Sequence, residues 1–162
     1  MSAAMEAPDS DPIEVVIRPA TRDDLPAVLA LYEAAGLDAP GTHDLARAQA
    51  AFDRISRYPD YTVWLAELEA RPVGTLALVI LDNLAHGCAP SALVEDVAVA
   101  PDVQGQGLGR RLLTHAMQHA RTRGCYKLAL SSRASRVRSH DFYRHLGFEV
   151  HGYSFLVTLD DA

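Results

Sequence analysis

Val97-Ala98-Val99-Ala100-Pro101-Asp102-Val103-Gln104-Gly105-Gln106-Gly107-Leu108-Gly109-Arg110-Arg111 passes from strand to turn to helix. Valines ending at Ala100-Pro101-Asp102 predict a strand over Leu93–Val99 and its stop. Gln104–Gly109 predicts a glycine-rich turn. Beyond it, Leu112, Leu113, Ala116, Met117 and Ala120 recur at helical spacing, so a helix is expected to about Arg123, ended by Gly124. The first N–H groups of a helix lack intrahelical partners and favour negative charge. Glycines allow close approach of the backbone to a bulky anion. Together these features predict a phosphate or pyrophosphate site. Arg110 and Arg111 add positive charge, although one of them is free to face solvent.

Two familiar anion loops fail at named positions. A Walker loop requires Gly-Lys-Ser/Thr, and Arg110 follows Gly109. The dinucleotide fingerprint requires glycine at position 110, and the segment does not open a βαβ unit. The competing reading is a turn that only joins strand to helix.

Upstream, Val15-Val16-Ile17-Arg18 predicts a short strand closed by Pro19. Thr21 with Asp24 has capping-box spacing, and Leu25, Val28, Leu29 and Tyr32 follow at helical spacing up to Gly36. A second helix is expected over about Asp44–Arg57. Thr62–Leu68 and Val73–Leu81 predict a hairpin turning at Glu69-Ala70-Arg71-Pro72. Downstream, Tyr126–Leu130 predicts a strand and Ser139–Leu146 a short helix capped by Gly147. Two further strands are expected near Phe148–His151 and Ser154–Leu159. The predicted class is α+β, with a mixed, mostly antiparallel sheet, one parallel strand pair and helices on both faces. Residues 1–12 read as a loose tail, with a single domain over 13–162.

The chain has 162 residues and a formal charge of −6. That charge argues against a general nucleic-acid binder, which needs a basic face. No apolar run approaches the length of a membrane-spanning helix. Cys88 and Cys125 show neither metal nor redox spacing, so free thiols in a cytoplasmic protein are expected. His86-Gly87-Cys88 offers too few ligands for a metal site, so none is expected.

Gln104-x-x-Gly107-x-Gly109 matches the Q/R-x-x-G-x-G/A signature of the Gcn5-related N-acetyltransferases. Ile17-Arg18-Pro19-Ala20-Thr21 with Asp24, Pro72-Val73-Gly74, and Phe142-Tyr143-x-x-x-Gly147-Phe148 resemble other motifs of that family, in order, over residues 15 to 159. The resemblance implies that acetyl-coenzyme A is a cosubstrate. Its pantetheine arm would lie along Val97, Ala98 and Val99, in a gap where the parallel pair splays. Its diphosphate would sit on Gln104, Gly105, Gln106, Gly107, Leu108, Gly109 and Arg110. Many members carry asparagine where this chain has Arg136, and alanine where it has Ser139. Those departures put the side-chain contacts there in question. Arg136 has two readings, a phosphate ligand or a solvated loop arginine.

Transfer to an amine needs the neutral amine, because an ammonium has no lone pair to attack with. An alkylamine with a pKa near ~10 arrives mostly protonated. A base must take that proton, and an acid should protonate the departing thiolate. By family resemblance Tyr143 is the acid candidate and the Val97 N–H the oxyanion donor. The competing reading of Tyr143 is a core tyrosine packed with Phe142 and Phe148. Glu95 is the base candidate, in an acidic pair with Asp96 that resembles diamine and glucosamine-phosphate acetyltransferases. The competing reading of Glu95 is a carboxylate in an ion pair. Strand alternation predicts Glu95, Val97 and Val99 on one face and Asp96 on the other. The acceptor pocket is expected from the first helix pair, the loops 36–43 and 83–91, and residues 151–155. Residues 139–143 and 151–155 look loosely like an aminoalkylphosphonate acetyltransferase. A small amine is the first choice of acceptor. A protein lysine or N-terminus, or a sensor that binds acetyl-coenzyme A without transferring, are the alternatives. The family often dimerises through sheet edges or C-terminal strands, so a homodimer stays open.

Overall fold

The computed structural model describes residues 14–159, so the expected N-terminal tail lies outside the described residues. The strands are β1 (Val15–Pro19), β2 (Tyr61–Leu68), β3 (Arg71–Leu81), β4 (Ser91–Val99) and β5 (Lys127–Leu130). The helices are α1 (Leu25–Ala34), α2 (Leu45–Ile55), α3 (Leu108–Thr122) and α4 (Val137–His145), with short 3-10 turns between. The five strands form one sheet in the order β1-β2-β3-β4-β5. Neighbours pair antiparallel except β4 and β5, which run parallel.

Local chemistry explains the start of α1. The Thr21 N–H donates to Asp24 Oδ2 at 2.7 Å, the reciprocal cap that the Thr-x-x-Asp spacing predicts. Arg18 then clamps two elements together. Its guanidinium donates to both oxygens of Asp24, at 2.7 and 2.8 Å, and to both oxygens of Glu67 on β2, at 3.0 and 2.7 Å. Bonding to Arg18 holds the Asp24 carboxyl well below the usual carboxylate range. At α2, Asp44 accepts from the Arg47 N–H and caps the helix.

The core lies between the sheet and its helices, with Leu65, Leu76, Leu78, Leu112 and Leu113 fully buried. The stripe predicted for the long helix is buried in α3 except at Met117, which is half-buried. Gly74 lets α3 approach β3: a Cβ there would stand 2.9 Å from Leu112 Cδ1 and 3.3 Å from the Ala98 carbonyl oxygen.

Three expectations fail. The hairpin turn is shorter than predicted, because Glu69 and Ala70 both take left-handed backbone (φ 49° and 61°) and close it alone. Arg71 and Pro72 therefore join β3, with Pro72 opposite Glu67 at a bulge, where its missing N–H is tolerated. Second, the two C-terminal strands do not form. Among the described residues, 149–159 make no main-chain hydrogen bond, and Tyr153, Phe155, Leu156 and Leu159 are 88–93% exposed. Alternation alone does not make a strand without a neighbour to bond to.

The third failure concerns β4. Ala77 pairs with Glu95 and Thr75 with Ala98, so β4 holds one residue more than β3 over that span. The extra residue makes a bulge, and Asp96 within it takes φ 53°. Alternation breaks there. Glu95 shares a face with Ala98, not with Val99, and Asp96 is not carried away from Glu95.

Candidate active site

The last registered pair between β4 and β5 is Val94 with Leu130. β4 runs on to Val99, so from Glu95 onward its β5-side edge has no strand partner. The glycine-rich turn follows at the end of this open edge. Gly107, with φ 80°, is the N-cap of α3, and no side chain caps the helix. Among the described residues, the backbone amides from Gly105 to Arg110 have no main-chain acceptor. A Cβ at Gly105 or Gly107 would meet nothing within 4 Å, so the turn is open on its outer side. A row of free amides at an uncapped helix start is the chemistry a diphosphate requires. The residues therefore fit coenzyme A, and they do so through the main chain: the side chains of Ala98 and Leu108 are buried. The Gln104 side chain donates to the Val99 carbonyl at 3.2 Å and ties the turn to its own strand. Gly109 has a different role. A Cβ there would stand 3.2 Å from Phe142 Cζ, so its lack of a side chain lets α4 close on the turn.

A cavity of about 380 Å³ opens where β4 and β5 diverge. Tyr32, Leu37 and Asp38 line it from α1 and the loop that follows, and Val94, Glu95, Asp96 and Val97 from β4. Leu130–Arg133, Arg136 and Tyr143 line it from β5, the β5–α4 loop and α4. Burial, and then the neighbouring Asp96 charge, raise the pKa of the Glu95 carboxyl. Burial and Asp38 raise that of Asp96. The Tyr143 phenol is pushed up by burial and pulled back by Arg136, whose charge therefore lies close to it. Tyr143 also meets the ring edges of Phe142 and Phe148, at centroid distances of 5.4 and 5.9 Å. At the C-terminus of α4, Gly147 takes φ 90° and lets the Phe148 N–H return to the Tyr143 carbonyl at 3.0 Å, which fixes the residue.

Glu95, Val97, Arg136 and Tyr143 thus meet in one cavity. Ser139 lies half-buried in the first turn of α4 and does not line it. The loop 83–90 and residues 151–155 do not line it either, contrary to expectation. Sequence reasoning missed Tyr32, Asp38 and Arg133 as individual site residues. Asp38 sits in a loop that was expected to contribute, whereas Tyr32 looked like one more member of an apolar helical stripe. His115 and His119 lie against Trp64 at ring-centroid distances of 4.3 and 5.4 Å, and neither lines the cavity.

The sequence profile described as Acetyltransferase (GNAT) family matches residues 25–148. The chain belongs to the GNAT family. Among its relatives is the glucosamine 6-phosphate N-acetyltransferase of Trypanosoma brucei brucei, 37% identical over 81 residues, which are 50% of this chain and 53% of the relative. This GNAT chain spans about half the length, or less, of the first curated relatives it matches. Solved structures of similar fold include an Agrobacterium tumefaciens str. C58 protein with a provisional acetyltransferase assignment. It has a TM-score of 0.82 and 30% identity, over 89% of this chain and 99% of that one. An aminoglycoside acetyltransferase from an uncultured soil metagenomic sample has a TM-score of 0.75 and 25% identity, over 90% and 97%. Among the described residues, no helix is long and apolar enough to cross a membrane. Nor does any group of three or more His, Cys, Asp or Glu there gather as metal ligands.

Proposed function

We propose that this protein transfers an acetyl group from acetyl-coenzyme A to the amine of a small molecule. The observation that carries the reading is that Glu95 and Tyr143 line one cavity at the diverging ends of β4 and β5, beside the turn of free amides. The turn from Gln104 to Arg110 would hold the diphosphate, and the open edge of β4 at Val97–Val99 the pantetheine arm. Acetyl-coenzyme A supplies the thioester. Glu95, ionised, takes the proton of the incoming ammonium directly or through one water and frees the lone pair on nitrogen. The Val97 N–H offers a bond to the carbonyl oxygen as negative charge builds there. As the new C–N bond forms and the C–S bond breaks, Tyr143 gives its phenolic proton to the sulfur. Arg136, whose charge reaches Tyr143, favours the phenolate left behind. Glu95 passes that first proton to solvent and takes a second from nitrogen as the C–N bond forms; Tyr143 is reprotonated from water, so one proton is released net.

The cavity suits a small acceptor rather than a long peptide. Relatives named for glucosamine 6-phosphate and for aminoglycosides support an amine of that size. The free thiols of Cys88 and Cys125 fit a cytoplasmic setting. The test mixes protein, acetyl-coenzyme A and a panel of amines and measures thiol release. Amine-dependent release is expected for at least one class of acceptor. Thermal stabilisation by the coenzyme with no release from any amine would make the protein a sensor instead.

A further inference from the structure

Charges of both signs line the cavity: Asp38, Glu95 and Asp96 from the loop after α1 and from β4, Arg133 and Arg136 from the β5–α4 loop. Neither guanidinium has a carboxylate within 4.0 Å among the described residues, although six other arginine–carboxylate pairs form there. Glu95 and Asp96 take part in none of them. Exposed charges gain little from pairing with each other, so both signs stay available to a ligand. Asp96 acts on Glu95 and Asp38 on Asp96, whereas Arg136 acts on Tyr143, so the two sets of charges act on different groups. Ser131 and Ser132, in the same loop as the arginines, also line the cavity and carry hydroxyl donors.

We infer that the acceptor is an amine that also carries an oxyanion, a phosphate, phosphonate or carboxylate group. Its nitrogen lies at Glu95, and its anionic group meets Arg133 and the Ser131–Ser132 segment of the β5–α4 loop. This assignment rests on the acetyl-transfer reading of the same cavity. It makes Arg133 a specificity residue, since a guanidinium offers paired donors that match an oxyanion. A second ammonium in place of the oxyanion would meet unpaired guanidiniums and be disfavoured.

The test compares acceptors alike in size and different in charge: 2-aminoethylphosphonate, propylamine and 1,3-diaminopropane. The phosphonate is expected to show a kcat/KM at least about tenfold above both others, mainly through KM. Arg133→Gln should raise its KM about tenfold and leave the Kd of coenzyme A within twofold. Arg133→Lys, which keeps the charge, should recover part of that loss. Calorimetric titration of the same three amines into the coenzyme A complex reads the charge preference without turnover. Preferential phosphonate binding without thiol release would support this assignment and overturn only the transfer reading. Equal or better use of the diamine would overturn the assignment, as would an Arg133→Gln effect confined to coenzyme affinity.

Discussion

The two halves of the site are built from different materials. The proposed coenzyme side is main chain: free amides from Gly105 to Arg110 and an open strand edge past Val94. The proposed acceptor side is side chain: carboxylates, guanidiniums and phenols drawn from α1 and the loop after it, β4, the β5–α4 loop and α4. A main-chain site depends on where the backbone goes, and only substitutions that redirect the backbone harm it. A side-chain site changes with each residue. The division explains how one fold can keep one cosubstrate while its acceptor varies, and it predicts different failures on the two sides.

The largest expected effect falls on the side-chain half. Tyr143→Phe should lower kcat by about 100-fold or more, since general acid groups contribute on that scale. Coenzyme affinity should stay within about twofold. Steady-state thiol release together with a coenzyme A titration separates the two quantities. Unchanged turnover would return Tyr143 to a packing role against Phe142 and Phe148.

Glu95→Gln should come next, with about 100-fold lost at neutral pH, and its pH dependence sharpens the comparison. The amine's own ionisation gives log(kcat/KM) a slope of about one below its pKa near ~10. Protonation of Glu95 adds a second unit of slope at low pH. Its pKa is raised by burial and by Asp96, so that steepening should begin above the ordinary carboxylate range. Asp96→Asn removes a like charge, stabilises ionised Glu95 and should move the steepening to lower pH. Movement the other way, or a profile indifferent to both substitutions, would remove Glu95 as the base.

On the main-chain half, Gly107→Val should weaken coenzyme A by about tenfold. A branched side chain at φ 80° costs roughly 1–2 kcal/mol in left-handed backbone and tilts the amides of the turn. Arg110→Gln, a nearby change of charge alone, should cost less. If charge mattered more than backbone here, the contrast between the two halves would be lost.

The smallest effect lies outside both halves. Asp24→Asn should cost about 1–2 kcal/mol of stability at pH 7 by weakening the cap and the Arg18 clamp. The folded pKa of Asp24 lies below its unfolded value near 3.8, so its ionised form stabilises the fold above that pH. The difference between the two proteins should shrink as pH falls below about 3.8. Urea unfolding at pH 7 and pH 3 measures it.

What the sequence reveals follows the same division. The strand–turn–helix around Gly107 was legible because glycine spacing and hydrophobic period are local properties. The Thr21–Asp24 cap was legible for the same reason. The β4 bulge was not, since one extra residue becomes visible only against the register of β3. Alternation consequently misplaced Asp96, which lines the cavity with Glu95. Arg133 was equally hidden. A loop arginine looks merely solvated until the ends of β4 and β5 are seen to part and place it in the lining of the cavity that holds Glu95 and Asp96. The failed strands at the C-terminus make the converse point: strand-forming residues are not enough without a neighbouring strand to pair with.

The most direct measurement follows main-chain amide resonances while coenzyme A is titrated into labelled protein. The amides from Gly105 to Arg110 and those of Val97–Val99 should shift most, and they should saturate below millimolar coenzyme. Shifts confined to other segments, or none at millimolar coenzyme, would contradict a main-chain diphosphate cradle.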